Sequence, residues 1–215
     1  IETLVRQLAH EENKEAAEWG LEAIGKATLD SLAPLLSSAS EPVRFHAARC
    51  MLNIGDERAV AVLEQFCRTP ENPYCVPSLE AVGLAARPRK AEQILMRAVE
   101  SPGTEIRLTA YRQLDLLNSA SISRHLVADS FAIDRVFCGG PPMIYVFRKE
   151  VPKIVLFGSP MTCRPDIFIQ SEDGSITLNA KAEDEFLSVS RRHPARPRLI
   201  GPIQVGRELS MLIRA

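Results

Sequence analysis

With 215 residues, 46% hydrophobic and 25% charged, the chain can bury a sizeable core, as one extended domain or two compact ones. A net charge of −1 excludes a global field drawing the molecule to nucleic acid or an anionic membrane. No stretch approaches the eighteen or so unbroken apolar residues of a spanning helix. Residues 1–118 carry 13 basic and 17 acidic side chains and residues 119–215 carry 13 and 10, an asymmetry too small to name a partner.

In chain order, Thr3–His10 reads as a short amphipathic start. Asn13–Ile24 and Thr28–Ser37 form a first helix pair, broken at Gly25, with Thr28 placed as an N-cap. Glu41–Ile54 and Glu57–Arg68 form a second pair. Pro42 opens it, Gly55-Asp56 breaks it, and Val43, Leu52, Ile54, Ala59, Val62, Leu63 and Phe66 carry its apolar faces. A further helix starts near Pro77 and runs through Leu79, Val82 and Leu84, paired with Pro88–Glu100. Ser101-Pro102-Gly103 then interrupts the chain before Thr104–Leu117.

These segments repeat. Ala16, Ala17 and Leu21 recur 31 residues later as Ala47, Ala48 and Leu52, and Leu32 and Leu35 recur as Leu63 and Phe66. Ala59 and Leu63 return as Ala91 and Leu95, and Val43-Arg44 with Ala47 as Ile106-Arg107 with Ala110. The unit of helix, tight break and helix in Glu41–Arg68 resembles the HEAT repeat. The resemblance implies an α-solenoid whose pairs bury their faces by stacking, a scaffold used for many partners. It also implies that Arg44 and Arg107 tie neighbouring repeats together as structural ion pairs, with a phosphate contact as the alternative. Trp19, the single tryptophan, reads as packing between the first pairs, with ligand stacking as its alternative.

After Asn118 alanine thins out and short β-rich runs appear. Ser121–Ala128 reads as one or two turns of helix. Phe131–Phe137, Met143–Phe147, Lys153–Phe157, Asp166–Gln170, Ser175–Asn179, Glu185–Ser190 and Ile203–Val205 read as strands of a compact antiparallel unit. Asp173-Gly174 marks the strongest hairpin, and Arg207–Arg214 reads as a truncated amphipathic helix. The chain starts at Ile1 and stops at Ala215 within an apolar run, which reads as an excised fragment with an upstream signal peptide left open.

Tests for chemistry return no catalytic residue, no cofactor site and no metal ligand set. Pro141-Pro142 remove the amides that a phosphate cradle at Gly139-Gly140 requires, and Ser159 lacks a nucleophile elbow. His10, His46, His125 and His193 lack ligand spacing, and Glu183-Asp184-Glu185 lacks the pattern of a calcium loop, so it reads as a solvated turn. Cys50, Cys67, Cys75, Cys138 and Cys163 contain no C-x-x-C pair and read as reduced thiols, suited to the cytoplasm.

One charged segment stands apart. Arg191, Arg192, Arg196 and Arg198 cluster around Pro194 and Pro197, with no acid between Phe186 and Glu208. They read as a contact for an acidic partner, or else as a solvated loop pairing with acids of the same chain. The sequence thus predicts an α+β protein: a HEAT-like α-solenoid over 1–118 and a β-rich C-terminal domain over 119–215. Its expected role is a non-enzymatic scaffold for an unidentified protein partner. A nucleic-acid-binding HEAT-like protein or enzyme is the rival reading, with only Arg44 and Arg107 recurring to support a basic face. Asp173-Gly174-Ser175-Ile176 and Arg192-His193-Pro194 through Gly201-Pro202-Ile203 also resemble tails of bacterial flagellar P-ring relatives, which implies an envelope location.

Overall fold

The computed structural model describes residues 1–10, 12–127, 130–148, 152–158, 160–164, 166–192 and 199–214. They fall into two compact units, Ile1–Ile122 and Ser123–Ala215. The fold is α+β, helical first and strand-rich after.

The first unit contains α1 (Glu2–Gln7), α2 (Lys14–Ile24), α3 (Leu29–Leu32), α4 (Glu41–Ile54), α5 (Val60–Cys67), α6 (Cys75–Ala85), α7 (Pro88–Ala98) and α8 (Thr104–Leu116). The break between α4 and α5 follows from its residues. Gly55 takes φ 100°, the left-handed geometry a glycine adopts without a Cβ clash. Its amide donates to Leu52 O at 2.9 Å and the Asp56 amide donates to Met51 O at 2.8 Å, which satisfies carbonyls left open at the end of α4. Asp56 then accepts the Arg58 amide at 3.0 Å and starts the turn leading into α5.

The helices stack in one row, α2 on α4, α4 on α6 and α6 on α8, with α5 and α7 seated between successive members. Ala47 and Ala48 are fully buried, as are Leu52 and Leu63 of the second pair. The approach of α6 to α8 is close enough that a Cβ on Gly83 would lie 2.7 Å from Gln113 Cβ.

Polar links join the repeats at the offset that revealed them. Glu22 accepts from Asn53 at 2.8 Å and Glu41 from Asn72 at 3.3 Å, each 31 residues apart. Glu64 takes Arg97 at 2.5 Å, Lys90 at 3.3 Å and Arg68 at 3.6 Å. Arg44 differs from the expected acid-to-repeat pair. It donates to the carbonyls of Ser38 (2.7 Å) and Ala39 (3.2 Å) and lies 3.5 Å from Glu41 of its own helix.

Two helical expectations are corrected. Thr28–Ser37 is not one helix: the short α3 lies between 3-10 turns Gly25–Thr28 and Ala33–Ser37. Pro34 has no amide to continue the α pattern, so the chain tightens there. Trp19 is not a packing residue, since it is 74% exposed. At about 100° per residue it points roughly 150° away from the buried Ala17, Glu18 and Leu21.

The second unit holds two four-stranded sheets. The first has the order β1-β2-β4-β3, from β1 (Ile122–Val127), β2 (Phe131–Val136), β3 (Met143–Phe147) and β4 (Lys153–Phe157). Its strand β1 occupies the stretch expected as helix. Arg124 of β1 donates to the fully buried Asp134 of β2 at 2.8 and 2.6 Å, so pairing decides over local preference. The expected all-antiparallel unit is also corrected. β4 pairs antiparallel with β3 and inserts parallel beside β2, with Ile133 opposite Ile154 and Val136 opposite Phe157. Both central strands are accordingly the buried ones.

The second sheet has the order β5-β6-β7-β8, from β5 (Ile167–Gln170), β6 (Ile176–Ala180), β7 (Phe186–Arg192) and β8 (Leu199–Gly206), followed by α9 (Leu209–Arg214). The hairpin at Asp173-Gly174 forms as expected, with Gly174 at φ 65° and its amide donating to Ser171 O at 2.8 Å.

Candidate interaction surface

Strand register assembles the surface in the second sheet. Ile169 faces Leu178, Leu178 faces Val189, and Val189 faces Ile203, one apolar row across four strands. A parallel row contains Ile167, Ala180, Leu187 and Val205, because alternate residues share a face. A third row is Ile176, Arg191 and Ile200. Ile200 reaches the same face as Ile203 because β8 carries a bulge between them. Gly201 supplies that bulge at φ 111°, where a Cβ would lie 2.7 Å from Val189 O. The opposite face mixes polar and apolar residues, with Phe168, Asn179, Ser188 and Gln204 in one row.

This apolar face is covered at one end and open at the other. Ala180, Leu187, Val189 and Val205 are buried. Ile169, Ile176, Ile200 and Ile203 are 43–50% exposed. Arg191 stands among the exposed isoleucines, and Arg192 follows it on the other face with its amide donating to Ser175 O at 2.7 Å. Both arginine side chains are exposed, and neither forms a salt bridge with a described carboxylate of this unit. Arg196 and Arg198 lie outside the described residues. The arginines are legible in the sequence from their charge, whereas the isoleucine face is not. Period-2 alternation in Ile167/Ile169, Ile176/Leu178 and Leu187/Val189 was the available signal.

The residues tested for chemistry are scattered. His46 is buried and its Nδ1 lies 2.7 Å from Glu18 Oε1, while Arg49 donates to Glu18 through Nε at 3.1 Å and through Nη2. Burial pushes the Glu18 carboxyl up, but hydrogen bonds from His46 and Arg49 outweigh it and hold the group below its ordinary range. Asp184 accepts the Lys181 amide at 2.7 Å, which makes the acidic cluster part of an exposed turn. His193 and Ser159 lie outside the described residues. All five cysteines are free, and burial pushes the Cys50 and Cys67 thiols upward. Among the described residues, no group of three or more His, Cys, Asp or Glu is placed to hold a metal ion. No helix among them is long and apolar enough to cross a membrane.

Stacked helix pairs with a β unit carried after them define a helical-repeat protein. Residues 1–83 match the family described as HEAT repeats. A solved structure similar to this chain is the complex of CpcE and CpcF of phycocyanin lyase from Nostoc sp. PCC7120. The identity is 21% and the TM-score 0.46, over 54% of this chain and 76% of that one. The search of curated proteins gave no match. The expectation that the chain is not an enzyme does not stand, since it rested on an absence of motifs. A missing catalytic motif does not exclude catalysis on this fold. The flagellar P-ring resemblance, and the bacterial envelope reading with it, finds no support in these matches.

Proposed function

We propose that the protein is an interaction or assembly module, and that the β unit supplies one of its contact surfaces. The HEAT repeats support the class of function, since stacked repeats present extended faces to protein partners. The observation that carries the surface is the open end of the second sheet, where four half-exposed isoleucines surround Arg191. The partner that fits is an amphipathic segment with apolar residues for the isoleucines and carboxylates for Arg191, Arg192, Arg196 and Arg198. The arginines steer and orient that partner, and the apolar face holds it.

The test is fluorescence anisotropy of a labelled synthetic peptide with alternating leucine and glutamate, titrated with the full chain at two salt concentrations. Replacing the four arginines with Gln is expected to weaken binding several-fold and to flatten its salt dependence. Ile203→Ser is expected to weaken binding with the salt dependence retained. Binding unchanged in both variants refutes the surface.

A further inference from the structure

A groove follows the loops that join successive helix pairs in the first unit. Its larger part, about 780 Å³, is walled by Pro70, Pro73, Val76 and Pro77 around the start of α6 and by Pro102 before α8. A smaller hollow of about 260 Å³ adjoins it, since Pro70 and Pro102 line both, and its wall includes Ile94 and Ala98 of α7. The prolines hold φ fixed, so this apolar wall keeps one shape before anything binds and little ordering is left to pay on association.

The larger part offers mainly acceptors. Its prolines contribute carbonyls and no amide N–H. The Asn72 side chain is engaged already, donating to Glu41 at 3.3 Å and accepting the Tyr74 amide at 2.8 Å. Glu71 and Glu105 belong to the lining, which contains no Lys, Arg or His. Both are exposed, and neither forms a hydrogen bond or ion pair among the described residues. The amides opening α8 are the donors that remain, and Glu105 in that first turn complements them. Glu71 lies outside the helices, so no helix end accounts for it. In the smaller hollow, Arg97 and Arg68 are paired with Glu64 at 2.5 and 3.6 Å, so they do not offset the two free carboxylates. The surrounding field has the same sign, since residues 1–118 carry 17 acidic and 13 basic side chains.

We infer that this groove binds an extended, lysine-bearing peptide segment of a protein partner. Lysine fits both features of the groove: its four-carbon stem lies along the apolar wall while its ammonium reaches a carboxylate. The surface is separate from the arginine-bearing sheet of the β unit, so either can fail without the other. The test is fluorescence anisotropy of a labelled peptide of alternating lysine and proline, which its prolines keep extended, titrated with the full chain. A peptide of alternating glutamate and proline is the counterpart. Saturable binding is expected for the lysine peptide alone, weakening as salt rises. Glu71→Gln combined with Glu105→Gln is expected to weaken it about fivefold, as loss of two exposed ion pairs does. Both positions are exposed, so the variant stays folded, and circular dichroism checks that. Glu2→Gln combined with Glu15→Gln removes the same charge from exposed positions on α1 and α2 and is expected to leave binding unchanged. No saturable binding up to about 1 mM overturns the site, as does equal binding of the glutamate peptide. So does a Glu71→Gln and Glu105→Gln variant that binds like the parent, or one weakened no more than the Glu2→Gln and Glu15→Gln control.

Discussion

Replacing Glu18 with Ala is the most direct test of how the repeats hold together. Its carboxylate is almost fully buried and accepts from His46 Nδ1 at 2.7 Å, from Arg49 Nε at 3.1 Å and from Arg49 Nη2. Removing it leaves His46, with a side chain 4% exposed, with a polar ring nitrogen that has lost its partner. Such a loss costs about 1–3 kcal/mol. Arg49, 30% exposed, can turn toward water, so its share is smaller, about 1 kcal/mol. The expected destabilisation is therefore about 2–4 kcal/mol, read from urea unfolding of the helical signal by circular dichroism. Glu22→Ala, which removes only the exposed bond to Asn53, is the control and is expected to cost under about 0.5 kcal/mol. The Glu18 carboxyl is held below its ordinary pKa in the folded state, so its contribution is present above the unfolded value. That contribution fades as pH falls through the depressed folded value, and the gap between parent and variant narrows in acid. A variant within about 0.5 kcal/mol of the parent at neutral pH refutes the role given to this cluster.

Leu63→Ala is expected to cost about 2–5 kcal/mol in the same assay, because the side chain is fully buried between helices. A loss below 0.5 kcal/mol would remove the second pair from the core. Gly83→Ala is expected to cost about 1–3 kcal/mol, since the added methyl meets Gln113 Cβ at 2.7 Å. An unchanged urea midpoint would show that the two helices can part freely. The Asp173 carboxyl is pulled down to about 2, first by the Ser171 hydroxyl and then by the Ser175 amide and hydroxyl. Titration followed by carboxyl NMR in a Ser171→Ala variant is expected to show it rising toward the ordinary value, and no movement refutes the cause.

What was legible in the sequence is what repeats or alternates locally. The offset of 31 residues located the helix pairs, and the same offset joins Glu18 to Arg49 and Glu22 to Asn53. Applied to polar residues as well as apolar ones, it would have exposed these links in advance. Trp19 was misread because its size argued for burial while its angle around α2 argued against it. The parallel pairing of β2 with β4 depends on the long-range insertion of β4, which no local pattern records. The arginines at the end of β7 were visible as charge. The isoleucine face was not, because alternation predicts a shared face and says nothing about what covers it.

The contact between Gly83 and Gln113 also bears on curvature. In a solenoid each repeat turns slightly relative to the last, and the turn is set by how closely adjacent helices of one row approach. Between α6 and α8 that spacing is set at a position with no side chain. Between α2 and α4 a carboxylate, an imidazole and a guanidinium fill the gap. A single methyl at position 83 would push α6 and α8 apart at that step and so change the turn from one repeat to the next.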